Sequence, residues 1–169
     1  ICGFVYGQDG AIRIEAGPRL KIITELLEEI DGKVIIYVPY VELINILKET
    51  IEKHASVAIV AGGVSKNARN DIFSAFQNEV HPRVLLAHPK TMAHGLTLTA
   101  AATILWYAPY PSNEIYEQAN GRIVRPGQTR TTNIIHVEGT TLERKIYSKL
   151  KDRQALQGSL LELIQKKEM

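Results

Sequence analysis

The chain has a single cysteine, Cys2, which lies at its extreme amino terminus. One cysteine excludes an internal disulfide framework, and no group of Cys and His residues has the spacing of a zinc site. His88 and His94 have no cysteine or carboxylate neighbours in their stretch of sequence, and we interpret them as structural or backbone-contacting residues. The sequence therefore predicts no metal held by this chain, and its cysteine usage fits a reducing cytoplasm.

Long apolar runs, internal repeats and low-complexity tracts are also lacking. No run could span a bilayer, so no membrane partner is expected. Lysine and arginine number 20 against 18 aspartates and glutamates, a net charge of +2, so any basic surface must come from local clustering. The 169 residues suit one domain. Because the chain starts at Ile1 without a signal-like segment, we expect it to be a fragment of a longer protein.

A phosphate-cradling loop of the form Gly-x-x-x-x-Gly-Lys-Ser/Thr is missing, and no Asp-Glu pair follows a predicted strand where it could hold magnesium. The pair Glu28-Glu29 falls on a predicted helix. This chain therefore cannot form a complete ATP site by itself. A free-standing nucleotide-binding α/β enzyme is disfavoured for the same reason, since no glycine loop follows the first predicted strand.

Short apolar, β-branched runs alternate with amphipathic stretches along the chain. The predicted strands are 34–38, 57–60, 84–87, 103–107 and 134–137, and the predicted helices among them are 18–30, 41–51 and 65–78. Repeated β-then-α units with short connections predict an α/β fold with a mainly parallel sheet and right-handed crossovers. A RecA-like three-layer sandwich meets these requirements.

Helices are expected to follow the last strand. Thr140 and Glu143 can form a capping box, after which an apolar stripe runs through 142, 146 and 150 and a following helix carries 156, 160 and 164. The residues 1–169 are thus interpreted as a single domain, with a lead-in segment at 1–31 and a C-terminal helical extension at 140–169. The basic residues among them form either a solvated face or a DNA contact: Lys145, Lys149, Lys151 and Arg153.

The most informative stretch places Gln118, Arg122 and Arg125 at positions i, i+4 and i+7. On a helix that begins after Ser112 and is stopped by Pro126-Gly127, these three side chains would share one face. Two guanidinium groups on one face are donors matched to phosphate oxygens, and both stay charged at neutral pH. The alternative reading of the arginine pair is a solvated helix face or a set of surface ion pairs.

Two sequence runs resemble motifs of one family. The run Gln-Ala-Asn-Gly-Arg-Ile-Val-Arg-Pro-Gly-Gln at 118–128 resembles motif VI of superfamily-two helicases in its Swi/Snf form. The run His-Pro-Lys-Thr-Met-Ala-His-Gly-Leu-Thr-Leu-Thr-Ala-Ala at 88–101 is similar to motif V of the same family, and the two occur in the family's order and spacing. The chain thus resembles the C-terminal RecA-like lobe of a Swi/Snf-type helicase-like ATPase. Its His-Pro start and His-Gly-Leu core look most like phage and prophage variants.

The resemblance implies roles for three sets of residues. They are catalytic Arg122 and Arg125, nucleotide-binding Gln118, Gly95 and Thr97, and nucleic-acid-binding Lys90, Thr91, His88 and Arg69. The arginines would act as fingers on ATP and Mg²⁺ bound mainly by an N-terminal RecA-like lobe of the same polypeptide, and the track would be duplex DNA. From the residues alone, Gly95 could equally serve a tight turn, and the polar residues could be ordinary surface. Because ligands of open α/β sheets lie beyond the carboxyl ends of the strands, both motif loops are expected to meet at one edge.

The sequence departs from the family at Ala102, because in the family an aspartate often follows the Leu-Thr-Ala-Ala run. It also lacks the usual opening of motif V, which is rich in glycine and other small residues. Both departures concern the DNA contacts and not the arginine pair. The resemblance implies that the whole protein is an ATP-dependent DNA translocase or helicase and that this fragment alone is inactive. The expected location is the cytoplasm of a bacterial or phage-infected cell, in association with the nucleoid if the protein binds DNA there. The alternative is a non-catalytic module that binds nucleic acid or protein through a RecA-like fold.

Overall fold

The computed structural model describes residues 4–7, 10–13, 17–92 and 97–165, and it gives the backbone alone for 4–7, 10–13 and 154–165. The elements are β1 (Phe4–Gly7), β2 (Gly10–Arg13), α1 (Gly17–Glu29), β3 (Lys33–Tyr37), α2 (Val41–Ile51), β4 (Val57–Val60), α3 (Lys66–Asn78), β5 (Val84–Ala87), a 3-10 turn (Pro89–Met92), β6 (Ala101–Trp106), α4 (Asn113–Asn120), β7 (Asn133–His136) and α5 (Thr141–Gln165).

The five strands β3 to β7 form one parallel sheet in the order β4-β5-β3-β6-β7. Its central strand is covered on both faces, since Val34, Ile35, Ile36 and Tyr37 are all fully buried. This is the environment that a continuous apolar run predicts, and the predicted α/β fold with a mainly parallel sheet is confirmed. The lead-in segment also holds an antiparallel pair, β1 and β2, that the sequence analysis did not anticipate.

Two apolar cores lie on the two faces of the sheet. The first joins the sheet to α1 and α2 through residues such as Ile23 and Leu47, and the second joins it to α3, α4 and α5 through residues such as Phe76, Tyr116 and Tyr147. Helices therefore cover both faces, and the predicted three-layer sandwich is confirmed.

Side-chain caps fix the starts of the helices that carry candidate site residues. Ser112 Oγ accepts the N–H of Ile115 at 3.4 Å, and the Thr140–Glu143 capping box is present, with Glu143 N–H on Thr140 Oγ1 and Thr140 N–H on Glu143 Oε2, both at 3.1 Å. Both caps were predicted from the sequence. Each satisfies backbone donors that the first turn of a helix leaves without an internal partner.

The end of α4 corrects one prediction. The helix stops at Asn120 and is capped by Gly121, so Gln118 is helical whereas Arg122 and Arg125 lie in the turns that follow. The predicted helix face shared by all three residues is wrong. The prediction fails because the chain tightens at Gly121, where Arg122 N–H bonds to Ala119 O. A bond from Leu98 N–H to Arg122 O then holds the chain in this path.

The C-terminal extension also differs from the prediction. Two successive helices were expected, but α5 runs without a break from Thr141 to Gln165. The linking residues 151–155 contain no proline or glycine and are mostly good helix formers, which explains the continuity. Neither α5 nor any other helix in the described part of the chain is long and apolar enough to cross a membrane.

Candidate nucleotide and nucleic-acid site

The turn after α4, residues 121–125, presents one arginine at the surface. The Arg125 side chain is exposed; its Nε donates to Gly121 O at 2.9 Å, and its Nη1 donates to Thr97 Oγ1 at 3.3 Å. Thr97 is exposed as well. The structure therefore brings together one residue from each of the two motif-like runs, and it holds the guanidinium in place while leaving it accessible.

Arg122 occupies a different environment from Arg125. Only 4% of Arg122 is exposed, and it lies near both Tyr37 and Arg125. Burial, and then the positive charge of Arg125, lower the pKa of Arg122, whereas Tyr37 acts in the opposite direction. An arginine pKa is high enough that the guanidinium keeps its charge at neutral pH. The turn thus combines a buried cation with an exposed one.

The other residues predicted to bind nucleotide lie apart or cannot be described. Gln118 is exposed on α4, and its amide donates to Glu114 Oε1 of the preceding turn at 3.1 Å. Gly95 and His94 lie outside the described residues. Beside Thr97, the side of α3 that carries Asn70 and Ser74 helps to line a cavity of about 210 Å³.

His88 and Thr91 build the 3-10 turn at the carboxyl edge of the sheet. His88 Nε2 donates to Pro39 O at 3.1 Å, while its Nδ1 accepts the N–H of Lys90 at 3.3 Å. Burial lowers the pKa of His88, so the neutral imidazole matches this pair of contacts. Thr91 Oγ1 lies 3.1 Å from Val60 O and 2.6 Å from His88 O. The interpretation of His88 as a backbone-contacting residue is confirmed.

The remaining residues predicted to bind nucleic acid, Lys90 and Arg69, belong to elements that begin at the same edge. Lys90 is exposed within the 3-10 turn, and Arg69 is half-buried in the first turn of α3, which begins after β4. The 3-10 turn of the motif V-like run packs against α4, which holds the start of the motif VI-like run, so the expected meeting at this edge is found for these parts of the two runs only. Their contact is not confined to the edge, however, since Thr97 and Arg125 meet where the chain approaches the start of β6.

Two residues that the sequence analysis gave no role tie this second meeting place together. Gln128 Nε2 donates to Ala101 O at 2.8 Å, and Arg130 donates to Ala100 O. These bonds fasten the segment after the arginine turn to the strand that follows Thr97. Gln128 belongs to the Gly-Gln ending of the motif VI-like run, which was the available signal for its role, whereas Arg130 had none.

A buried group of polar and aromatic side chains lies beneath the end of α4. Trp106 Nε1 donates to Asn120 Oδ1 at 2.9 Å, and Tyr37 Oη donates to Ala119 O at 2.9 Å. Tyr116 Oη lies 2.8 Å from His136 Nε2. Burial, and then the charge of Lys151, lower the pKa of His136 to about 4, so this imidazole is neutral at pH 7 and its Nε2 can accept a hydrogen bond from the Tyr116 hydroxyl.

Comparisons with known proteins agree on one family. The model of the family described as helicase conserved C-terminal domain matches residues 18–127. The chain is 27% identical over 166 residues to the putative ATP-dependent helicase/translocase YwqA of Bacillus subtilis, covering 94% of this chain and 18% of that protein. It is 28% identical over 168 residues to the DNA repair and recombination protein RAD54B of Gallus gallus, covering 94% of this chain and again 18% of the relative. The chain therefore spans less than a fifth of either protein.

Among solved structures, the C-terminal part of the Fun30 ATPase domain is similar to this chain. The TM-score is 0.71 at 19% sequence identity, with 80% of this chain and 47% of that chain covered. At this identity the likeness shows the fold alone. No group of three or more His, Cys, Asp or Glu side chains that could hold a metal ion occurs within the described ranges.

Proposed function

Because this chain belongs to the helicase conserved C-terminal domain family, we propose that it works as the second motor lobe of an ATP-dependent DNA translocase. In this role it supplies the second-lobe motifs IV to VI, of which V and VI are the runs at 88–101 and 118–128, to an ATP site that an N-terminal RecA-like lobe of the same polypeptide completes. The observation that carries the proposal is the exposed Arg125 guanidinium, held between Gly121 O and Thr97 Oγ1. The motif-based identification of a Swi/Snf-type C-terminal lobe is confirmed, while the phage or prophage origin stays a prediction.

The residues of the arginine turn fit a phosphate group. Arg125 offers an accessible guanidinium, and guanidinium groups match phosphate oxygens in geometry and charge. When bound, ATP with Mg²⁺ supplies the scissile γ-phosphate bond, whose cleavage places growing negative charge on the phosphate oxygens. Arg125 would donate to those oxygens directly. Arg122 is buried beneath the turn, and its positive charge would stabilise the phosphate without direct contact. Gln118 would help to position the nucleotide.

Magnesium does not fit this chain in the same way. In the ranges that the structure describes, no group of acidic side chains is assembled to hold a cation. We therefore assign the metal to the acidic residues of the N-terminal lobe. Closure of the two lobes would bring Arg125 to the phosphate, and opening would follow hydrolysis.

The carboxyl edge of the sheet carries the proposed contact with the DNA backbone. His88 and Thr91 commit their side chains to backbone groups, so they act by shaping the turn. Lys90 is exposed at its tip, and Arg69 lies in the first turn of α3. Contacts of this kind hold a strand in place without reading its sequence.

Substitution of Lys90 by alanine is expected to weaken duplex DNA binding equally for unrelated sequences. A lysine that neutralises one phosphate contributes about one unit to the slope of log K against log salt, so the slope should become shallower by about that amount. Fluorescence anisotropy titrations of the two-lobed protein at several salt concentrations measure both quantities. Lys53→Ala, an exposed change just after α2, is the control. Equal slopes for Lys90→Ala and the wild type would remove Lys90 from the DNA contact.

The proposed function is tested by ATP hydrolysis with and without duplex DNA. The protein that joins this chain to its upstream lobe should hydrolyse ATP faster when DNA is added, and this chain alone should not hydrolyse it. If the joined protein binds DNA but does not hydrolyse ATP under either condition, the motor role is wrong. The alternative, a non-catalytic module that binds nucleic acid or protein, then takes its place.

A further inference from the structure

The position of the arginine turn depends on where α4 ends, and Asn120 is the last residue of that helix. The backbone carbonyl of Asn120 accepts the N–H groups of Ile123 and Val124, each at 3.3 Å. These bonds begin the turn that carries both arginines. Any rotation or shift of Asn120 is therefore passed directly to Arg122 and Arg125.

The side chain of Asn120 is tied to the sheet. Its Oδ1 accepts the indole N–H of Trp106 at 2.9 Å, and the two residues are 3% and 0% exposed. Trp106 is itself fixed between two rings, with ring centroids 4.7 Å from Tyr37 and 5.0 Å from Tyr116. The contact is thus a directional bond from a rigid, packed indole to the residue that opens the turn.

Stability alone does not explain why a hydrogen-bonded asparagine and tryptophan occupy these two sites. Burial of the amide and of the indole N–H carries a desolvation cost, which an apolar pair such as leucine and phenylalanine does not incur. Apolar packing is also non-directional, so it would hold the end of α4 without fixing its rotation. The hydrogen bond adds the orientation that packing lacks.

We propose that Asn120 and Trp106 are positioning residues, which set the arginine turn so that Arg125 reaches the phosphate in its reactive position. The inference rests on the proposed motor function and adds two residues to it that touch neither nucleotide nor DNA. Misplacement of a reacting group by about 1 Å can lower a rate by roughly 100-fold. A loss of the Asn120–Trp106 bond should therefore lower kcat by about 10- to 100-fold and leave the KM for ATP nearly unchanged.

The test compares Asn120→Leu, Trp106→Phe and the double variant in the two-lobed protein. Each single change leaves one buried polar partner without the other, whereas the double change removes both and should regain the part of the thermal stability that the unpaired group had cost. If the bond positions the turn, kcat stays low in the double variant although its stability recovers. If kcat recovers together with stability, the pair has only a structural role and the proposal is overturned. Ile44→Val, in the core on the opposite face of the sheet, is the control for a small loss of stability.

A second comparison asks whether the effect passes through Arg125. In a background that already carries Arg125→Ala, Asn120→Leu should reduce kcat no further, because the group that it misplaces is gone. If Asn120→Leu instead lowers kcat by the same factor with and without Arg125→Ala, the positioning role is overturned. An Arg125→Ala variant with normal activity would instead contradict the proposed function itself, so the two failures are told apart.

Discussion

Replacement of Arg125 by alanine is expected to lower the kcat of DNA-stimulated ATP hydrolysis by about 10³- to 10⁵-fold, the range known for arginine fingers. The side chain is exposed and held by Gly121 and Thr97, so it needs little rearrangement to meet a phosphate. ATP binding should largely survive, because the proposed function assigns most nucleotide contacts to the other lobe. Steady-state hydrolysis together with a nucleotide-binding titration separates the two effects.

Arg125→Lys should rescue only a small part of the lost activity. A lysine keeps the charge, but its single ammonium group lacks the planar fork that bonds to Gly121 O and Thr97 Oγ1 at once. Arg144→Ala is the matched control, because Arg144 is an exposed arginine on α5 whose partner is Glu138, at 3.0 Å. If Arg125→Ala retains a kcat close to that of Arg144→Ala, the proposed motor function is wrong, and the alternative, a non-catalytic binding module, is favoured.

The sheet could be predicted from the sequence because its strands are buried on both faces. A strand such as Val84–Ala87 is apolar at every position, so its identity does not depend on which neighbours it meets. The ends were less certain: β6 begins at Ala101 and β7 ends at His136, each displaced from the prediction. Strand ends depend on pairing register, which a single strand does not encode.

The arginine pair could be found from the sequence, but its geometry could not. The spacing of Arg122 and Arg125 suits a helix face, and Gly121 alone is only a weak signal for a helix end. Tertiary contacts decide the matter, since Asn120 is bonded to Trp106 and the backbone of Arg122 to Leu98. As a result one arginine is buried and the other exposed, a difference that spacing alone does not predict.

The ion pair between Arg19 and Glu143 was beyond the reach of sequence patterns. Glu143 was predicted to cap α5, and it does so, but its Oε2 also accepts a hydrogen bond from Arg19 Nη2 at 2.6 Å across 124 positions of sequence. Arg19 in turn donates to the backbone carbonyls of Tyr107 and Val137, at the ends of β6 and β7. The pair therefore joins α1, the sheet and α5 at the carboxyl edge.

Breaking this pair is expected to be strongly destabilising. The side chains of Arg19 and Glu143 are 5% and 10% exposed, and removal of one partner from a buried pair costs about 3–5 kcal/mol because the other charge stays buried. Arg19→Met should lower the free energy of unfolding by that amount in urea titrations. The double variant Arg19→Met, Glu143→Gln should regain the part that the unpaired charge had cost, since the glutamine is neutral and still able to cap the helix, whereas the bonds from Arg19 to Tyr107 O and Val137 O stay lost.

The pH dependence of these variants separates charge from packing. Burial raises the pKa of Glu143, but the hydrogen bonds from Arg19 and from Gly139 N–H outweigh it and bring the pKa below its ordinary value of 4.5. Below that value the unfolded chain binds the proton more readily than the folded one, so this part of the stability is present near neutral pH and is lost as the pH falls through the folded pKa. In Arg19→Met, the lowering effect of Arg19 on Glu143 is absent, so burial raises the pKa of Glu143 in the folded variant. Protonation of Glu143 at low pH then removes the buried charge and stabilises the variant. The difference in unfolding free energy between wild type and Arg19→Met should therefore shrink as the pH is lowered from neutrality.

A difference that does not change with pH would contradict this expectation. It would show that lost packing, and not the charge pair, causes the destabilisation.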